Sequence, residues 1–231
     1  MVRAIGPSLL PFGIPDALGN PTLEIRDASN TLIASNDDWR NTQTGGIIAG
    51  DQSMDIAGSG LAPGNDFESA IIAGLAPGSY TAVVRGLNNT VGTGVIDAYD
   101  MSASSPARMA NVVTRGLIQP GDKLMIAGFI IQQGEVKAVV RAIGPSLSAF
   151  GISNALPDTT LQLRDQNGAL VRENDDWESD QKAELEATGL QPSDRLEAAV
   201  VVTIPPGQYT AQVRGKPETT GIGVVQVYFV Q

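Results

Sequence analysis

The sequence predicts an all-β chain: a tandem of two homologous antiparallel β-sandwich domains, the first lacking its N-terminal strands. Three observations lead there: a long internal repeat, period-two alternation of apolar and polar residues, and turn residues at short intervals. Val2-Arg3-Ala4-Ile5-Gly6-Pro7-Ser8-Leu9 recurs unchanged as Val140-Arg141-Ala142-Ile143-Gly144-Pro145-Ser146-Leu147. Asn36-Asp37-Asp38-Trp39 recurs as Asn174-Asp175-Asp176-Trp177 at the same offset of 138. Later matches, such as Tyr80-Thr81-Ala82 with Tyr209-Thr210-Ala211, sit at an offset of 129. The first copy therefore carries nine extra residues between Trp39 and Gly60. They include Gly45-Gly46 and Asp51-Gln52-Ser53, and read as a surface loop.

The elements follow in order. Val2-Arg3-Ala4-Ile5 reads as a strand from the first residues. Leu23-Glu24-Ile25-Arg26 and Leu161-Gln162-Leu163-Arg164 alternate as half-buried strands do. Asn167-Gly168 supplies a turn that favours positive φ. Residues 181–188, rich in Ala, Glu, Leu and Lys, are the one stretch that reads as a short helix. Pro77-Gly78 and Pro206-Gly207 launch strands in which Tyr209, Ala211 and Val213 share one face. Each copy ends on a strand, Gly94-Val95-Ile96-Asp97-Ala98-Tyr99 or Gly223-Val224-Val225-Gln226-Val227-Tyr228.

Between the copies, residues 111–117, 123–131 and 136–143 are separated by Pro120-Gly121 and Gln133-Gly134 turns and read as a three-stranded meander. Only Met1 precedes Val2, so the first copy has no strands of its own where 111–117 and 123–131 would lie. The expected domains are an incomplete repeat over 1–103 and a complete one over 104–231, with 111–131 alternatively completing the first. The chain starts inside a strand and is expected to be a mature product or a trimmed piece of a longer array.

Composition narrows the function. Of 231 residues, 42% are apolar, enough to build cores, and 17% are charged, with a net charge of −10. That balance repels phosphate backbones and anionic bilayers, so neither nucleic acid nor membrane insertion is expected. There are no Cys and no His, which excludes disulfides, thiolate chemistry and His-based acid–base catalysis.

The motif order Val-Arg-Ala-Ile-Gly-Pro-Ser-Leu, the Thr-Leu-x-Leu-Arg-Asp hairpin, Asn-Asp-Asp-Trp, Pro-Gly-x-Tyr-Thr-Ala-x-Val-Arg-Gly and the final Gly-x-Gly-Val strand resembles a repeat of large bacterial exported and surface proteins. The central part is also similar to bacterial pre-peptidase C-terminal domains. That resemblance implies β-sandwiches appended to secreted enzymes, some of whose relatives bind calcium. The Gly-rich continuation after the acidic run in that family is replaced here by Trp39 and Trp177.

Calcium takes six to eight oxygen ligands, and acidic loops at a sandwich end supply them. The candidate metal residues are Asn36, Asp37, Asp38, Asp66 and Glu68 in the first copy, and Asn174, Asp175, Asp176, Asp194 and Glu197 in the second. The competing reading is that these side chains cap turns and keep edges soluble. Trp39 and Trp177 either stack on a sugar or plug a small core. Arg3, Arg85, Arg141 and Arg214 are expected to pair with nearby carboxylates.

No nucleophile with an activating base is recognisable, so the chain is expected not to be an enzyme. The expected function is an extracellular structural or adhesive repeat protein that self-associates into a homo-oligomer or filament by strand sharing. The alternative is an accessory module of a secreted hydrolase that binds glycan or protein.

Overall fold

The structure is a computed structural model that describes residues 1–48, 50–101, 110–217 and 219–230. The chain divides into two compact units, Met1–Arg108 and Met109–Gln231. The expected boundary between 103 and 104 lies outside the described residues.

The second unit is a complete sandwich. It contains β7 (Asn111–Ile118), β8 (Met125–Ile131), β9 (Val136–Ile143), β10 (Thr159–Asp165), β11 (Leu170–Asn174), β12 (Ala198–Ile204), β13 (Gly207–Gly215) and β14 (Gly221–Val230). One sheet has the order β12-β9-β14-β7 and the other β11-β10-β13-β8, with every pairing antiparallel. Alternation decides which side chains enter the core. In β8, Met125, Ala127, Phe129 and Ile131 point inward, between exposed Ile126 and Ile130. They meet Leu161, Leu163, Tyr209, Ala211, Val213, Val225 and Val227 from the older motif strands. Phe129 stacks on Tyr209 at 5.7 Å between ring centroids and meets Phe229 edge-on at 6.0 Å.

The strands β7, β8 and β9 exist as expected, but they do not form a meander. β7 pairs with β14, and β8 pairs with β13 in the opposite sheet. The segment from β7 to β8 therefore straddles one side of the sandwich and adds an edge strand to each sheet. It belongs to the second unit.

The first unit repeats this plan without that segment. Its strands are β1 (Val2–Ile5), β2 (Pro21–Arg26), β3 (Leu32–Asn36), β4 (Ser69–Ile71), β5 (Thr81–Gly86) and β6 (Val95–Ala98). They form sheets of order β4-β1-β6 and β3-β2-β5. Each matches the second unit strand for strand, and each ends where β7 or β8 would pair. Among the described residues no strand pairs with the outer edge of β5 or β6. Burial follows: Val225 is 0% exposed and its counterpart Ile96 42%, while Tyr209 is 7% exposed and its counterpart Tyr80 37%.

The opposite edge of the first unit is protected. Ser35 on β3 exchanges backbone hydrogen bonds with Thr44 (2.7 and 2.9 Å). Gly45 then turns at φ +135°, where a Cβ would lie 2.3 Å from Ile33 O. The nine-residue insertion expected as a plain surface loop thus lies along the β3 edge. It leads into an unexpected helix, α1 (Ser53–Gly58), whose counterpart α2 (Lys182–Thr188) falls in the predicted helical stretch. Ile56 of α1 packs with Met1, Trp39 and Ala70; Leu185 of α2 packs with Val139, Trp177, Ala199 and Val201. Both indoles are buried, Trp39 at 3% and Trp177 at 7% exposure, so they plug small clusters outside the main core.

Phe129 bridges Tyr209 and Phe229 inside the second core, so Phe129→Ala is expected to lower the unfolding free energy by about 3–5 kcal/mol. Chemical denaturation of the variant and the parent chain measures it. A loss below about 1 kcal/mol would mean that β8 does not carry the core as described.

Candidate functional site

Two polar clusters recur in both units. The first explains the unchanged Gly-Pro-Ser motif. Glu68 and Glu197 are both fully buried. Glu197 Oε1 accepts from Gly144 N (3.0 Å), Ser146 N (3.0 Å) and Ser146 Oγ (2.5 Å), and Oε2 accepts from Asp194 N (3.3 Å). Glu68 is held in the same way. Gly6 N (2.9 Å) and Ser8 N (2.8 Å) donate to Oε1, and Ser8 Oγ (2.8 Å) and Asn65 N (3.1 Å) to Oε2. Proline between the two donating amides has no N–H to leave unsatisfied. The glycine is required by space: a Cβ on Gly6 would lie 2.0 Å from Leu18 O, and one on Gly144 2.5 Å from Leu156 O. Charge-assisted bonds of this kind are stronger than neutral ones.

The second cluster is the Asn-Asp-Asp-Trp run. Asn36 and Asn174 turn inward. Their Nδ2 atoms donate to Asp38 O and Asp176 O (3.0 Å each), and their Oδ1 atoms accept from Ala70 N and Ala199 N (3.0 Å each). Trp39 N and Trp177 N donate to the backbone oxygens of Glu68 (2.8 Å) and Glu197 (2.9 Å). The run is thereby stitched to the segment that leads into β4 or β12.

The carboxylates beyond the asparagines differ between units. In the second unit Asp158, Asp175 and Asp176 converge, with one oxygen of each within 4.8 Å of the others. Each also has a buried oxygen without a hydrogen-bond partner. Lys216 Nζ pairs with Asp175 and is held above its ordinary pKa, chiefly by that hydrogen bond. Burial, and then the Asp175 charge, push the Asp158 carboxyl above its usual range. In the first unit the position of Asp158 is Asn20 and that of Lys216 is Leu87. In the amide orientation that satisfies its neighbours, Asn20 donates to Asp37 Oδ1 (3.1 Å) and Phe67 O (3.2 Å). Asp38 there is raised by burial, then by Asp37 and Asp66.

Of the residues named from sequence, Asp175 and Asp176 come together. Asp158, which sequence reasoning missed, completes the set. Glu68, Glu197, Asn36 and Asn174 are taken up by the hydrogen bonds above and are not free ligands. Asp66 pairs with Arg40 (2.5 Å), and Asp194 Oδ1 accepts from Leu196 N (2.9 Å). Among the described residues Asp158, Asp175 and Asp176 form the acidic group that could hold a metal ion.

The arginines also differ. Arg3 pairs with Asp97 (2.5 Å), and Arg85 with Glu24 (3.0 Å), as expected. Arg141 instead donates to the Gln226 amide oxygen (2.8 Å from Nε), and Arg214 to that of Gln212 (3.5 Å). The Gln226 amide stands at the position of Asp97, whereas Gln212 stands at that of Val83; the counterpart of Glu24 is Gln162, which accepts from Arg164 (2.8 Å).

No family model matches this chain, and no curated protein matches it. Among solved structures, the pre-peptidase C-terminal domain of a collagenase from Bacillus anthracis is similar at 13% identity and a TM-score of 0.33, over 51% of this chain and 88% of that one. Among the described residues no helix is long and apolar enough to cross a membrane.

Two outcomes follow. Glu197→Ala would strand the amides of Gly144, Ser146 and Asp194, and is expected to lose on the order of 3 kcal/mol of stability in a denaturant titration. A neutral result would contradict the buried-carboxylate frame. Because Asp158 binds its proton more tightly when folded, its contribution to stability is present at low pH and is lost as pH rises through the folded-state value. Asp158→Asn, copying Asn20, removes that loss. It is expected to raise the melting midpoint at neutral pH in chelator, with the gain shrinking on acidification. A lowered midpoint would contradict it.

Proposed function

We propose that this chain is a non-catalytic, extracellular structural or adhesive repeat protein, and that its first unit self-associates through the side left open by β5 and β6. The single observation that carries the reading is the contrast between units. In the second unit each sheet carries one more strand on that side, β7 or β8, which is then the edge, whereas among the described residues the sheets of the first unit end at β6 and β5. Exposed strand edges above an apolar face invite another chain. Val95, Ile96 and Tyr80 add apolar surface there.

Strand counting limits how copies associate. Among the described residues there is one β7–β8 segment and two sandwiches of the kind that seats one. Exchanging segments between identical chains moves the vacancy without filling it, so it has no driving force of its own. The self-association proposed here is the direct pairing of two open sides, an isologous contact.

The non-catalytic reading is supported by the Ser–Glu pairs. Ser8 and Ser146 do bond a carboxylate, but each carboxylate is buried and already accepts backbone amides, which makes it an anchor and not an accessible base. The alternative, an accessory module of a secreted hydrolase that binds glycan or protein, would not use Trp39 or Trp177 as a stacking platform, because both indoles are buried. An extracellular setting is supported by the motif order and the net charge of −10.

Light scattering after size exclusion, over a range of concentrations, tests the reading. Species heavier than one chain are expected to grow with concentration and to disappear in Ile96→Lys, since a charge on an edge opposes pairing. A single-chain mass at every concentration would refute self-association.

A further inference from the structure

We propose that Gln52 and Gln181 are edge plugs: each side-chain amide occupies the outer edge of a sheet, at β4 or β12, and shuts that edge to a strand from a second copy of the chain. The proposal stands apart from the association at β5 and β6, because β4 and β12 lie at the other end of their sheets from β6 and β7.

β4 and β12 each end a sheet, so the backbone groups on their outer side have no strand to pair with. Side chains take that place. In the first unit Gln52 Oε1 accepts from Ile72 N (2.9 Å), just past β4, and Gln52 Nε2 donates to Ile72 O (2.6 Å). In the second, Gln181 Oε1 accepts from Val201 N (3.1 Å) and Gln181 Nε2 donates to Val201 O (2.9 Å). One primary amide thus makes the pair of bonds that a residue of a neighbouring antiparallel strand makes. Two residues earlier, Asn36 and Asn174 take the N–H groups of Ala70 and Ala199. Alternate amides along each edge are therefore already occupied.

Three observations make this a device and not a chance contact. The two glutamines are equivalent at the offset of 129, although the loops leading to them differ by nine residues. Their supports are unlike. In the longer loop of the first unit the buried Gln43 accepts from Gln52 N (3.1 Å) and donates to Trp39 O (2.9 Å), whereas in the second unit Asp180 Oδ1 accepts from Gln181 N (3.0 Å). Two different loops thus deliver the same amide to the same place. Gln181 also sits at φ +52°, a left-handed conformation that favours glycine. The backbone alone does not account for glutamine there; the bonds of its side chain to Val201 do. What the plug guards against is written in β12 itself, which reads Ala-Ala-Val-Val-Val-Thr-Ile without a charge or a proline. A short β-branched, uncharged strand pairs readily with its own copy when its edge is bare.

The test uses the full chain carrying Ile96→Lys, so that pairing through β6 is opposed in every sample. Gln181→Gly accepts the left-handed backbone without strain and removes the plug. Gln181→Glu keeps the acceptor for Val201 N and places a charge on the edge. In dilute Gln181→Gly, exchange at Val201 N is expected to be faster by about tenfold or more, as a lost hydrogen bond allows. Light scattering of the same variant is expected to show dimers that grow with concentration, joined β12 to β12 as an isologous contact. At concentrations where they form, Val201 N is expected to be protected again. Gln181→Glu, and the chain with Gln181 intact, are expected to stay single under the same conditions. Unchanged exchange at Val201 N in Gln181→Gly, faster exchange without association, or equal association by Gln181→Glu would overturn the proposal. Every chain compared carries Ile96→Lys, so the result does not depend on whether β5 and β6 associate.

Discussion

A two-sheet sandwich must cover its apolar interior along its sides, where the inner faces of both sheets end in apolar side chains. The second unit meets this constraint with one segment that places β7 on one sheet and β8 on the other. Phe129 fills the gap between them against Tyr209 and Phe229. Among the described residues no strand pairs beyond β5 or β6 in the first unit, and its core is smaller. Its main cluster reduces to Ala4, Leu23, Ile25, Ala34 and Ile71, with Ala82 and Val84 only partly covered. On its other flank Thr44 and Gly45 lie against β3, and α1 covers the outside as α2 does in the second unit.

The buried glutamates hold the end of each sandwich together independently of that side. Glu68 and Glu197 gather the Gly-Pro-Ser turn that follows the first motif strand and the loop that precedes β4 or β12. This shared frame accounts for the identical eight-residue motif in both copies, while the surfaces around it have diverged. Asp158 with Lys216 in one unit, and Asn20 with Leu87 in the other, show how the same loops are neutralised in two ways.

Much of this was legible in the sequence. Alternation and turn residues located β1, β2, β5 to β10, β13 and β14, but not β4, β12 or the hairpin partners β3 and β11, and the repeat offsets identified equivalent positions. Pairing was not legible for residues 111–143. Alternation reports that one face of a strand is buried but not which sheet the strand joins, and neighbours in sequence usually pair. Helix α1 was hidden because Ser53–Gly58 is too short to show a period and buries only Ile56. The anchoring contacts of Glu68 and Glu197 were not legible because many of their donors are backbone amides, which no side-chain pattern marks. The flanking Gly-Pro-Ser, with two amides either side of a proline, was the signal available. Asp158 stands alone in sequence, but the change of charge between it and Asn20 at equivalent positions pointed to it.

The asymmetry of closure is tested most directly by hydrogen exchange on the dilute single chain. β14 has strands on both sides, so its amides are expected to be protected throughout. β6 has a partner on one side, so alternate amides of Val95–Ala98 are expected to exchange freely. The same contrast is expected between β13 and β5. Equal protection of all four strands in a chain shown to be single would contradict an open side in the first unit.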